Sequence, residues 1–307
     1  MFPFKKEKRK DNKSERILRL IHRVSLFLIM QFIRNFFFGL KAYYKAIRFI
    51  KEHKLYWYIL IPAVFMLGIY KIGEYFQQRK ALPAVDNMND IIWFLIHMMI
   101  EISIALLLMN FAKYLVVILL SPLLAHLSEK TERILTGNKY PFDLKQFMND
   151  VRRGIRIAIR NLIWQYFFFL IIFLVSALGW KDPKSAPVFY LIFVIAFYYY
   201  GFSFLDYVNE RRKLNIDESI LFVRQHRGLA IAIGFIYSLL ILVPVDLTMI
   251  FSLEGFKDHS FLYGLGQFLF HVTLWFSAST APIIAIVAST IAMNDLVDLK
   301  RKKGNFH

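Results

Sequence analysis

Three groups of residues have types and spacings suited to holding a negatively charged ligand. The first is SPLLAHLSEKTERILTG (121–137). Ser121 is a good N-cap, and Pro122 suits a first helical turn because its missing N–H would have no partner there. Gly137 suits the stop, with Pro141 just beyond. The spacing predicts a helix of about four turns. Leu123, Leu124, Leu127, Ile134 and Leu135 lie on one side, and Glu129, Lys130, Glu132 and Arg133 on the other. The first N–H groups of a helix have no internal partner and carry the positive end of its dipole. The start at Ser121 is therefore either an anion site or an ordinary capped helix turning at a membrane surface.

The second and third groups are the basic stretches NDVRRGIRIAIR (149–160) and NERRKLNIDES (209–219). Arg152, Arg153, Arg156, Arg211, Arg212 and Lys213 would form a vestibule that concentrates anions. The same residues would equally serve as cytoplasmic loop charges against lipid phosphate. Polar residues inside apolar runs are costly and therefore functional suspects. Glu101 either belongs to an ion or proton path or pairs with His97. Asp246 follows Pro244, which can break a helix, so it either lines a binding site or caps the next helix. Lys113 snorkels to the surface, and His271 reads as a hydrogen-bonded packing residue. No enzyme is expected. The eight His are scattered, cysteine is absent, and no nucleophile, zinc or phosphate-loop motif occurs. No cofactor or metal is expected either.

The elements that must position these groups are apolar helices. Of 307 residues, 57% are hydrophobic and 17% aromatic, more than a soluble domain needs. Six apolar segments stand out at 55–70, 91–120, 157–180, 188–205, 229–253 and 261–293. About 20 apolar residues span a bilayer as helix. The expectation is an all-α integral membrane protein, whose segments either cross fully or pair as partial, re-entrant hairpins. An outer-membrane barrel is excluded, because ten-residue alternating segments are absent. The net charge of +17 is uneven: residues 1–54 hold 15 Lys/Arg against four acids. Alternate loops hold 32 and six Lys/Arg, which places both termini in the cytoplasm if all six segments cross. No nucleic-acid fold accompanies the charge, so a nucleic-acid partner is not expected. Residues 17–51 mix Phe, Ile and Leu with Arg and Lys, as an amphipathic helix on anionic headgroups does. VSLFLIMQFI (24–33) has the length of a signal core, but Arg34 follows and no cleavage site does. The chain divides into a basic interfacial extension (1–54), a helical membrane domain (55–296) and a basic tail (297–307).

Several stretches, in order, resemble one family. SPLLAHLSEKTERILTG is similar to the segment of the CysZ family of bacterial sulfate permeases that carries Gly-Leu-Leu-Ala-Glu and ends in Leu-Thr-Gly. That family is related to the etoposide-induced membrane proteins of eukaryotes. FFFGLKAYYKAIRFIKEHKLYWYILIP (36–62), NDVRRGIRIAIR, DYVNERRKLNIDESILFVRQHRG (206–228), LLILVPVDL and APIIAIVASTIAMNDL extend the likeness over 36–296. The resemblance implies long spanning helices with partial hairpins, homo-oligomeric assembly, a bacterial inner membrane and movement of sulfate. It places the anion-binding motif on Ala125, His126, Leu127, Ser128 and Glu129, beside Ser121. The motif's Gly is Ala125 here, and the family's Arg pair falls on Tyr56 and Trp57. A stretch of about 248–280 is inserted. The other reading is a non-transporting membrane organiser that binds anionic lipid or a protein partner.

Overall fold

A computed structural model describes residues 7–68, 118–138, 144–241, 245–251 and 260–297. Among them all regular structure is helical. The helices are α1 (Glu7–Glu52), α2 (Leu55–Gly68, opening as a 3-10 turn), α3 (Ser121–Thr136), α4 (Leu144–Gly179), α5 (Leu191–Arg211), α6 (Ile216–Gln225), α7 (Arg227–Leu240), α8 (Thr248–Phe251) and α9 (Phe261–Val297).

Not every expected segment forms a full span among the described residues. Among the described residues three stretches are long and apolar enough to cross a bilayer: Val151–Gly179, Pro187–Arg211 and Phe261–Val297. A fourth arises if α6 and α7, bent by 90° at His226, act as one broken span. The physical reasons are local. α2 is only a short apolar helix, about 21 Å at 1.5 Å per residue. The segment 229–253 stops being helical at Leu240, just before Pro244. The segment 91–120 lies outside the described residues except for 118–120, as do Glu101 and Lys113.

α1 runs as one helix of 46 residues, longer than the amphipathic stretch read from sequence. Its first half exposes Leu26, Phe27, Leu28, Ile29 and Met30. Its second half buries Ala42, Tyr43, Ala46, Phe49 and Ile50 in the core, against α7 and α9. Tyr43 donates a 2.7 Å hydrogen bond to the Ile233 carbonyl, and Lys45 pairs with Asp295. The basic extension therefore contributes a wall of the bundle.

Helices α5 and α7 pack backbone to backbone. Glycine makes it possible: a Cβ at Gly201 would overlap the Ala230 carbonyl, and one at Gly234 the Phe197 carbonyl. Small residues of this kind let membrane helices touch backbone to backbone. Gly228 does the same against α1, where a Cβ would overlap the Phe32 carbonyl. α6 starts in a capping box: Asn215 Oδ1 accepts from the Glu218 N–H at 2.8 Å, and Glu218 Oε2 accepts from the Asn215 N–H at 2.7 Å.

Burial is uneven along the bundle. The most apolar window of α9 is 78% buried, whereas that of α4 is 11% buried. α4 turns Ile163, Phe167, Leu170, Leu174 and Leu178 outward, as a lipid-facing helix does. α5 is buried continuously from Tyr199 to Asn209 but exposes Leu191, Phe193 and Val194 near the hairpin turn. The α4–α5 hairpin thus has one end packed in protein and the other bare.

Candidate functional site

The predicted helix forms as Ser121–Thr136, stopped by Gly137 at φ 76°. Its start differs by one residue from the sequence expectation. Leu120 is the N-cap, no side chain caps the helix, and Ser121 is the first helical residue. Pro122 brings no N–H, and the Leu124 N–H already donates to the Leu120 carbonyl at 2.8 Å. Ala125 to Glu129 lie in the body of a 16-residue helix, where amides serve the i→i−4 ladder. The motif residues beyond Ser121 thus bring side chains rather than backbone donors to a ligand.

Those side chains go to different places. Ser121 is fully buried, and Ala125 and Glu129 are half-buried. His126 is exposed, with Nε2 3.2 Å from the Tyr58 hydroxyl of α2. Lys130 also reaches that hydroxyl, at 3.2 Å. Leu127 is fully buried in the core. Ser128 is buried, shares a 2.7 Å hydrogen bond with Thr290 of α9 and accepts one of 2.8 Å from Arg211. Tyr56 and Trp57, at the family's Arg-pair positions, are exposed aromatics with ring centroids 5.5 Å apart. They suit a membrane–water boundary.

The basic vestibule read from sequence divides into two sets. Arg153 forms a two-pronged pair with Asp206, Nη2–Oδ1 at 3.0 Å and Nε–Oδ2 at 3.2 Å, and also bonds the Leu214 carbonyl. Ser219 donates to the same Asp206 at 2.6 Å, and Asn209 donates to Ser219 at 3.0 Å. Arg211 pairs with Glu132 at 2.6 Å. Asp206 and Glu132 are both buried. Arg153 and Arg211 are therefore neutralised inside the bundle and tie α3, α4, α5, α6 and α9 together; they are clamps, not free anion ligands. Arg212 rests 4.9 Å from the Phe222 ring and donates to Asn209 at 3.3 Å. Burial lowers its pKa from the ordinary arginine value, yet guanidinium stays charged at any physiological pH. Arg152, Arg156 and Lys213 are exposed, and among the described residues none of the three touches a carboxylate. Asp246 is exposed at the approach to α8, where its N–H donates to His271 Nδ1 at 3.2 Å. His271 is thus hydrogen-bonded, as its apolar surroundings required.

Gly154 and Tyr207, which sequence reasoning passed over, meet Ser121 at the start of α3. Ser121 Oγ and the Tyr207 hydroxyl lie together against Gly154: a Cβ at 154 would stand 2.9 Å from the first oxygen and 3.5 Å from the second. Both oxygens are buried; they face each other, and among the described residues neither has a hydrogen-bond partner of normal geometry beyond that contact. Gly154 sits within the basic run, two residues from Arg152 and from Arg156. A lone glycine inside a helical, charged stretch was the available signal for a close approach. Chemically, each hydroxyl carries a donor that can turn toward the other or toward an oxyanion.

A family model described as Sulfate transporter CysZ/Etoposide-induced protein 2.4 matches residues 42–252. That range holds Ser121, Gly154, Tyr207 and both arginine clamps, and leaves α9 outside. No match was found among curated proteins. A match over more than half of the chain, on an all-helical bundle with apolar spans, makes this protein a membrane protein of the sulfate transporter CysZ/etoposide-induced protein family.

Proposed function

We propose that the protein is a permease for a small inorganic anion such as sulfate, working in a bacterial inner membrane with its termini on the cytoplasmic side. One observation carries the reading. At the start of α3, within the family-matched residues, the buried hydroxyls of Ser121 and Tyr207 have, among the described residues, no hydrogen-bond partner beyond each other. Buried polar groups are otherwise almost always satisfied, so each exception calls for a ligand, a water or a functional reason. Arg152 and Arg156, exposed on the helix that carries Gly154, supply positive charge that would raise the local anion concentration.

The test is uptake of radiolabelled sulfate into proteoliposomes. Uptake above empty vesicles is expected. Ser121→Ala should lower it about tenfold, the scale of one hydrogen bond to a charged group. Arg152→Gln with Arg156→Gln should lower it at low salt and much less at high salt, because exposed charges are screened. No uptake above empty vesicles would overturn the sulfate reading. Arg153 and Arg211 are unsuitable probes, since their loss would unpair buried carboxylates.

A further inference from the structure

A groove of about 530 Å³ lies between α1, α4, α5 and the α6–α7 elbow, with no residue of α3 in its lining. Its size falls among ligand pockets, which run from about 300 to 1,000 Å³. Its walls are apolar: Phe32 of α1, Phe168 of α4, Val194 and Ile195 of α5, and Ile231 of α7. Phe168 and Val194 are themselves exposed and continue the apolar surface of the hairpin into the groove.

Two guanidiniums, Arg224 and Arg227, also line it. Both are exposed. Arg227 Nε donates to the Arg224 carbonyl at 3.0 Å, which fixes the fork and leaves its other donors for a ligand. Among the described residues neither arginine touches a carboxylate, unlike Arg153 and Arg211. Tyr198 and Tyr199 line the same groove. An inorganic anion would use the guanidiniums and leave the trough bare. A neutral lipid would fill the trough and leave the guanidiniums without a counter-ion. A molecule with an anionic head and an apolar tail answers both halves.

We propose that this groove binds an anionic phospholipid, its phosphate held by Arg224 and Arg227 and an acyl chain laid along Phe168, Val194 and Ile231. The site is separate from the Ser121 region and does not rest on the permease reading.

The experiment uses the full chain purified in detergent, titrated with dioctanoyl phosphatidylglycerol, dioctanoyl phosphatidylcholine or glycerol phosphate, and read by native mass spectrometry and thermal shift. Phosphatidylglycerol should bind saturably and raise the melting temperature, with the other two far weaker. Arg224→Gln with Arg227→Gln should weaken phosphatidylglycerol binding about tenfold or more, as loss of charge-assisted hydrogen bonds does. Val194→Trp, which fills the trough, should weaken it as well. Lys181→Gln with Lys184→Gln, an equal change of charge at the hairpin turn, should leave binding as in the parent. Equal binding of phosphatidylcholine, glycerol phosphate bound as tightly as the lipid, or an unchanged arginine variant would each overturn the proposal. So would a lysine variant as weak as the arginine one, which would mean diffuse charge alone. Sulfate uptake is measured separately, so either reading can fail without the other.

Discussion

Asp206 is buried to 2% exposure and carries three donors at once: both prongs of Arg153 and the hydroxyl of Ser219. Removing one partner of such a pair strands a charge in low dielectric. Arg153→Ala should therefore destabilise the protein by about 3–5 kcal/mol, read as a lowered melting temperature in detergent. Arg153→Ala combined with Asp206→Ala should recover much of that loss, because no uncompensated charge remains. Arg152→Gln, one position away but exposed, should leave the melting temperature unchanged. The sequence marked both arginines as basic and could not tell them apart. The distinction is made by a carboxylate 53 positions along the chain, which only packing brings near. The Ser121 region was more legible, because Pro, Gly and hydroxyl signals at helix ends act locally. Even so, the cap moved to Leu120, and Tyr207, from another helix, had no local signal to give.

At the scale of elements, the α5–α7 contact depends on two glycines that face each other's helices. Gly201→Ala or Gly234→Ala would press a methyl onto backbone, which cannot swing away as a side chain can. Each should cost about 1–3 kcal/mol, as overpacking does. Gly266→Ala in α9, where a Cβ would meet nothing within 4 Å, should be neutral or slightly stabilising, since alanine favours helix. Thermal unfolding of the three variants side by side checks this. Apolar runs in the sequence located α4, α5 and α9 but could not measure them as spans. The segment 229–253 reads as one run by hydropathy. Its early end after Leu240 was marked by Pro244 alone, and a proline signals where a helix stops without specifying the path of the chain beyond it.

At the scale of the molecule, if every apolar segment crosses, the loop charges put the α4–α5 turn and the α6 segment on opposite sides of the membrane. Cysteine is absent, so single cysteines report cleanly. A cysteine at Ser185 should react with an impermeant maleimide only from the non-cytoplasmic side, and one at Glu218 only from the cytoplasmic side. Both positions are exposed, whereas Ser219 is buried on Asp206 and would label poorly. Labelling at position 185 from the cytoplasm would make the hairpin re-entrant. The lopsided burial of α5 has a mechanical meaning. Its inner turns are pegged by two opposite-sign anchors, Asp206 and Arg211, to α3, α4 and α6, and its middle packs on α7 at Phe197 and Gly201, while Leu191, Phe193 and Val194 near the hairpin turn are exposed. A rod held that way pivots about its fixed end. Thickness or lateral pressure of the surrounding bilayer would then act on the free tip of the hairpin and be felt as torque at the very layer where Ser121 and Tyr207 meet.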